Sequence, residues 1–459
     1  MDVTKYGFTG AVASMILRLF LSERKRKKIV DKRLQALVKH AAENKEYHKE
    51  LYKDINISEI NLDNLSLLPP TNKTVLQKNF DQWLSDEDLT EEKINAFLQE
   101  KRFTDKYLDD YCIFQTSGTT GAPVTVVYKY SDMKIGMAIA ALKSWPSIFD
   151  IPRMILNGNP MACILPLRTP CVSTYCASEA GKFFINKGGR IQILDIEDDI
   201  KENVKRLNEM QPTTLGAYCT YVEMLLDEAD KGNLKISPLY VTTVGEKLRP
   251  EVKERISKTF GCCTLTSYAC TEGLELAHIC KEGHLHVNDD WLIIEPVDEN
   301  NNPVPDGEIS DKILLTNLFN YTQPFIRYEM NDRVIMSHEA CACGCKSPRL
   351  TVEGRVFKVL NFTGEDGSVV NISPISIEIL IHKEDEGINR YQFILNKDNI
   401  EIRLSVNEGY NKEAVFAKVK AVIQEFLADN RIKEMDIVLA EDSPRVGKNG
   451  KFQQVYQNY

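Results

Sequence analysis

The run Phe114–Tyr128, FQTSGTTGAPVTVVY, constrains this chain more than any other stretch. Two glycines among small hydroxyl residues leave a loop with little side-chain bulk. Such a loop brings backbone N–H groups close to an oxyanion, because glycine enters turns that a Cβ would block. Thr116, Ser117, Gly118, Thr119, Thr120 and Gly121 are the candidate phosphate cradle, with the hydroxyls of Ser117, Thr119 and Thr120 as extra donors. The apolar TVVY that follows reads as a buried strand, which would hold the loop on a rigid element. A plain Gly/Thr turn between strands has the same composition, and the lysine of a Walker-type P-loop is missing.

At 459 residues the chain exceeds one ordinary core, so two or three domains are expected. A net charge of −9 argues against nucleic acid as the main partner, since tracking phosphates takes a basic surface. Twelve cysteines lie scattered without framework spacing or a secretory signal, which favours the cytoplasm, with thiols in cores or on metals. Gly10–Leu21 is mostly apolar and precedes Arg24-Lys25-Arg26-Lys27-Lys28. It is too short to span a bilayer, so no transmembrane segment is expected. The preferred reading is a packed amphipathic helix with a solvated basic end; a helix lying on a membrane surface is the other.

Leu34–Tyr52 has helical periodicity, with Leu34, Leu37, Val38 and Ala41 on one face, and His40 and His48 read as packing or surface groups. Thr71 or Asn72 caps the next helix. From Met137 to Gly245, strands (ACILPL, RIQILDI, TTLGAY, LYVTTVG) alternate with helices near 175–184, 200–210 and 221–230. That rhythm predicts an α/β fold with mixed, largely parallel sheets. Ligands collect at the carboxyl ends of such strands, where Gly216-Ala217-Tyr218 and Gly245-Glu246-Lys247 fall. A strand TLTSY then leads into Ala269-Cys270-Thr271-Glu272-Gly273. A hydroxyl beside a carboxylate at a strand end suits a phosphate contact and a Mg²⁺ ligand. After Asn371, a helix at 374–382, two strands, a helix at 412–427 and a strand MDIVLA form a small α+β domain. Cys341-Ala342-Cys343-Gly344-Cys345 has the density of a thiolate metal centre, and zinc is usual where cysteine and histidine mix. Cys280 and His286 offer a second pair, with His284 and His278 as rivals.

TSGTTG, followed in order by Tyr268-Ala269-Cys270-Thr271-Glu272, Asp332, Gly354-Arg355 and Gly450-Lys451, resembles the adenylate-forming (acyl-CoA synthetase) superfamily. The resemblance is to its phenylacetate–CoA ligase-like, capsular-polysaccharide-type branch and covers nearly the whole chain. It implies an ATP- and acid-binding domain over 1–354, including a helical arm over 1–85, and a small mobile domain over 355–459. It implies that Thr116–Gly121, Gly245, Glu246, Lys247, Tyr268 and Ala269 line the nucleotide site. Asp332 would accept ribose hydroxyls and Arg355 would contact ribose or phosphate. Thr271 and Glu272 would serve phosphate and Mg²⁺. Lys451, with Lys448 as competitor, would bridge the acid and the α-phosphate. Tyr218, Gly245 and Ala269 would line a compact acyl pocket. Three positions depart from the family pattern. Ala269 and Asn331 replace glycines, and Val356-Phe357-Lys358 stands where a hinge residue is usual. Similar proteins tie two loops together with a structural zinc, which selects Cys280, His286, Cys341 and Cys343 and leaves Cys345 as the extra thiol.

The reaction implied joins a carboxylic acid to AMP from ATP with pyrophosphate release, then passes the acyl group to CoA. An amide ligase using an amine acceptor is the alternative, and a catalytically impaired nucleotide binder is a third reading. A homodimer is common among similar proteins.

Overall fold

The structure, a computed structural model, describes residues 7–100, 102–116, 123–143, 160–185, 190–245, 248, 250–353, 360–382, 387–407, 409–444 and 454–458. It begins with a helical arm, α1 (Gly7–Leu19), α2 (Glu23–Asn44), α3 (Glu46–Leu51), α4 (Lys73–Lys78), α5 (Phe80–Leu84) and α6 (Glu91–Gln99). The single helix expected over Leu34–Tyr52 breaks at Lys45, whose backbone is extended (φ −123°, ψ 114°). A tertiary contact overrides local propensity there, because the buried Lys45 ammonium donates to the Leu84 carbonyl at 2.6 Å. Beyond the break, His48 packs edge-on to Trp83 and beside Tyr47, and burial holds its imidazole down to about 3. It is a neutral core group. Asn72 caps α4, accepting from the Val75 N–H at 3.0 Å. Thr71 instead pairs with the body, donating to the Arg327 carbonyl (3.0 Å) and accepting from the Glu329 N–H (2.8 Å).

A hairpin of β1 (Tyr111–Gln115) and β2 (Thr125–Lys129) carries the Gly/Thr loop at its tip, and α7 (Tyr130–Lys143) follows. Strands β3 (Pro160–Leu165), β4 (Arg190–Asp195), β5 (Thr214–Tyr218), β6 (Tyr240–Val244) and β7 (Cys263–Cys270) then alternate with α8 (Val172–Ile185), α9 (Ile200–Met210), α10 (Cys219–Asp230) and α11 (Pro250–Phe260). These five strands pair in parallel in the order β7-β6-β5-β3-β4. Parallel pairing stops at β7, which runs two residues beyond the expected TLTSY. A short turn at Thr271–Gly273 returns the chain as β8 (Leu274–Ile279), antiparallel to β7. A three-residue turn leaves no length for the crossover that a parallel partner requires. β9 (Leu285–Val287) extends the same sheet. β10 (Leu292–Val297), β11 (Lys312–Asn317) and β12 (Tyr328–Met330) form a separate antiparallel sheet, and β13 (Val334–Ser337) and β14 (Arg349–Val352) complete a nine-stranded mixed sheet.

The C-terminal elements are β15 (Leu360–Thr363), β16 (Val369–Ile372), α12 (Pro374–His382), β17 (Ile388–Leu395), β18 (Asn399–Val406), α13 (Lys412–Asp429), β19 (Asp436–Leu439) and β20 (Val455–Gln457). Phe362, Ile377, Phe393, Ile402, Val419 and Ile423 give them a core of their own. Contacts among the described residues that join them to the rest include the following pair. Ile379 enters the apolar cluster of α10 and α11, and Asn371 donates to Asp227 at 2.6 Å. No helix among the described residues is long and apolar enough to cross a membrane.

Helix α7 lies directly on the β7–β8 turn. A Cβ built on Gly136 would sit 2.0 Å from Leu274 Cδ1, well inside van der Waals contact. Gly136→Ala is therefore expected to destabilise the protein by about 1–3 kcal/mol, read from the urea midpoint. An unchanged midpoint would contradict this close approach.

Candidate active site

The flanks of the Gly/Thr loop are bonded to each other. Thr116 N–H donates to the Val124 carbonyl (3.0 Å), and its hydroxyl accepts from the Val124 N–H (2.9 Å). Residues 117–122 lie outside the described residues, as do Glu246, Lys247, Arg355, Lys448, Gly450 and Lys451, so these assignments keep only their sequence basis.

Among the described candidates, the structure brings Tyr268, Thr271, Glu272 and Asp332 together. The Tyr268 hydroxyl donates to Asp332 Oδ2 at 2.8 Å, both groups being buried. Glu272 is also buried. The Cys270 thiol between them is pushed well above its usual range by burial first, then by the charges of Glu272 and Asp332. One thiol thus feels both carboxylates. Cys270 is a neutral neighbour, not a nucleophile.

Thr271 and Glu272 are held through their backbone. Tyr128, on β2 just after the loop, donates its hydroxyl to the Thr271 carbonyl at 2.9 Å. Asn317 Nδ2 donates to the Glu272 carbonyl (2.9 Å) and to the Tyr128 oxygen (3.2 Å). The loop hairpin and the Thr271–Glu272 turn therefore share one fastening. Sequence reading missed Tyr128, Asn317 and their neighbours Asn320 and Gln323. The available signal was three amides spaced by three in Asn317–Gln323, a run otherwise reading as apolar and aromatic.

The acyl-pocket candidates Tyr218 and Gly245 meet at the ends of β5 and β6. Gly245 has φ +75°, and a Cβ there would lie 2.4 Å from Tyr218 Cε1, so the ring rests on bare backbone. Ala269 is exposed on β7, opposite Glu275 on β8. A separate cavity of about 320 Å³ is lined by His40, Lys45, Asp86, Lys129, Asp132 and Tyr321 and by none of the candidate site residues.

Cys280, His286, Cys341 and Cys343 converge, with donor atoms all within 4.8 Å of one another. Cys280 Sγ and Cys341 Sγ are 4.0 Å apart, and Cys343 Sγ lies 3.4 Å from His286 Nε2. A tetrahedron of metal–sulfur bonds near 2.3 Å has edges of about 3.8 Å, so the spacing fits zinc. His286 Nδ1–H donates to the Ser347 carbonyl at 2.8 Å, which points Nε2 toward the thiols. Cys341 is drawn down to about 7, first by the Cys343 backbone N–H, against burial and with help from His286. Burial opposes ionisation of Cys345, but His278 and His286 bring its thiol down to about 5. His284 is exposed and lies outside the cluster.

Because Asn317 fastens two parts of the site, Asn317→Ala is expected to cost about 2–4 kcal/mol in urea denaturation, against about 1 kcal/mol for Tyr128→Phe. A loss within about 0.5 kcal/mol for Asn317→Ala would remove this fastening from the account.

A family model described as AMP-binding enzyme matches residues 8–309. Phenylacetate-coenzyme A ligase of Thermus thermophilus is 23% identical over 315 residues, covering 66% of this chain and 67% of the relative. Protein CapK of Staphylococcus aureus is 21% identical over 410 residues, covering 85% and 80%. The fold resembles the crystal structure of 2-hydroxyisobutyryl-CoA ligase with 2-HIB-AMP and CoA in the thioesterification state. The TM-score is 0.60 at 16% identity, covering 95% of this chain and 91% of that one. With a match extending over well more than half its length, this chain belongs to the AMP-binding enzyme family.

Proposed function

We propose that this enzyme is an ATP-dependent acid–thiol ligase. A carboxylate oxygen of the acid attacks the α-phosphorus of ATP, the bond to pyrophosphate breaks, and an acyl-adenylate forms. The CoA sulfur then attacks the acyl carbon and AMP departs. The observation that carries the reading is the shared fastening of the loop hairpin and the Thr271–Glu272 turn, with Tyr268 bonded to Asp332 alongside, in a chain of this family. In this reading Asp332 accepts the ribose hydroxyls and Tyr268 orients its carboxylate. Tyr218 and Gly245 bound the acid, and Thr271 contacts phosphate. Glu272 is the residue that would hold Mg²⁺, which neutralises phosphate charge when bound. Residues 1–354 bind ATP and acid, and residues 355–459 deliver Lys451 to the α-phosphate and withdraw it before transfer.

CoA as acceptor follows the phenylacetate-coenzyme A ligase relative. Protein CapK spans more of the chain, and transfer of the acyl group to an amine is the second reading. Pyrophosphate release with a panel of carboxylic acids tests the first half-reaction. Mass analysis of the product with CoA or amines separates the acceptors. No acid-dependent pyrophosphate release from any panel member would reject the ligase.

Lys451→Ala is expected to slow adenylate formation about 10²-fold while acyl transfer from preformed adenylate stays within about twofold. Equal loss in both half-reactions would remove the assigned role. Zinc, held by Cys280, His286, Cys341 and Cys343, is proposed as structural, since four protein ligands leave no open position. Chelator-free protein is expected to contain about one zinc per chain, and Cys341→Ser to lose most of it together with thermal stability. Metal-free wild-type protein would reject the centre.

A further inference from the structure

The apolar face left over on α1 is the feature the ligase reading does not use. One side of this helix packs on α7, burying Ala11 and Met15. The opposite side is apolar and faces solvent. Ala13, Ile16 and Leu17 fall within about a 100° arc at helical spacing, and Phe20 continues it through the turn that follows. Ile16 is 50% exposed, Leu17 57%, Leu19 76% and Phe20 81%. Four large apolar side chains this exposed within five residues form a patch, not scattered surface hydrophobes.

The patch is held rigidly. Arg18 pairs with Asp289 at 2.6 Å, and Arg33 of α2 donates to Ser14 of α1 at 2.7 Å and to the Asp290 carbonyl. The Arg33 guanidinium also stacks on Trp291, 3.5 Å from the ring centroid. These clamps fasten the α1–α2 hairpin to the body while leaving its outer side uncovered. Directly after the patch comes Arg24-Lys25-Arg26-Lys27-Lys28. Lys27 is tied to Asp63, but Arg24, Lys25 and Lys28 are exposed without an ion pair among the described residues. This run is a local reversal of sign on a chain of net charge −9.

The geometry points to a docking surface for an anionic lipid membrane. Leu17, Leu19 and Phe20 enter the headgroup–acyl boundary, and Arg24, Lys25 and Lys28 meet acidic headgroups. Apolar insertion and basic attraction are the two signals that together give stable, reversible anchoring. Charge decides against a second copy as occupant. A second copy would add its own basic run to the contact, whereas acidic headgroups neutralise Arg24, Lys25 and Lys28. Protein interfaces are also depleted in lysine.

The test is co-sedimentation of the full chain with vesicles of about 30% phosphatidylglycerol in phosphatidylcholine, against phosphatidylcholine alone, at about 0.1 M and 0.5 M salt. Binding is expected to the acidic vesicles and to weaken with salt. The pair Leu17→Ser, Phe20→Ser is expected to weaken it about tenfold or more. Lys25→Glu, Lys28→Glu is expected to abolish the preference for acidic lipid without changing the melting temperature. No binding to acidic vesicles overturns the proposal, as does binding indifferent to Leu17 and Phe20. Light scattering that shows a dimer split by the Leu17→Ser, Phe20→Ser pair also overturns it, in favour of an interface between copies.

Discussion

Buried backbone polarity governs how this site is assembled. Strand β2 pairs with β1 on one edge only, because the hairpin is a two-stranded sheet inside the body. Its other edge would leave N–H and C=O groups without partners, at about 1–3 kcal/mol each. The fully buried amides of the segment after β11 supply them. Gln323 accepts from the Val127 N–H at 2.8 Å and donates to the Thr125 carbonyl, and Asn320 donates to the Val127 carbonyl. Asn317, three residues earlier, reaches the Glu272 carbonyl. One short segment thus satisfies the strand that follows the Gly/Thr loop and the turn bearing Glu272, and that fixes their separation. An apolar replacement anywhere in the trio would strand donors or acceptors that water cannot reach.

The same turn is braced from two further directions. Helix α7 presses Gly136 onto Leu274, so the chain leaves Glu272 along one path. At the far end of β8, Cys280 and His286 lie against Cys341 and Cys343 of the β13–β14 connection. A metal there would join the edge of the nine-stranded sheet to the strand that returns from the site. In the proposed reading this separates two tasks: a metal at the cysteine cluster would serve rigidity, and the carboxylates beside Cys270 would serve charge. Burial of Glu272 and Asp332 in one neighbourhood strengthens any interaction either makes with a cation, since the local dielectric is low.

The strand–helix rhythm was legible because hydrophobic period and turn chemistry agree from β3 to α11. The helix α9 falls on Ile200–Met210 as expected. The four-membered Cys/His cluster is the set that the resemblance implied among the rivals that spacing left open. Legibility failed where tertiary contact overrode local pattern. Lys45 breaks a helix to reach the Leu84 carbonyl, and nothing in Leu34–Tyr52 announces that partner. Asn317, Asn320 and Gln323 were unread for a related reason. Their role depends on an unpaired strand edge nearly two hundred residues earlier, and an amide in a loop has no meaning until that edge is in place.

The contact between the C-terminal elements and the body has a consequence for the proposed reorientation. It includes a hydrogen bond from neutral Asn371 to Asp227, itself shared with Arg255 at 2.6 Å, and the insertion of Ile379 among residues of α10 and α11. A hydrogen bond to a charged group and one buried isoleucine are each worth about 1.5–3 kcal/mol, which is small beside the stability of a domain. Separating these two contacts leaves the Phe362–Phe393–Val419 core intact. On release, Asp227 keeps Arg255 as partner, and no buried charge is left bare. Contacts that discharge so cheaply are compatible with the proposed delivery and withdrawal of Lys451 by these elements.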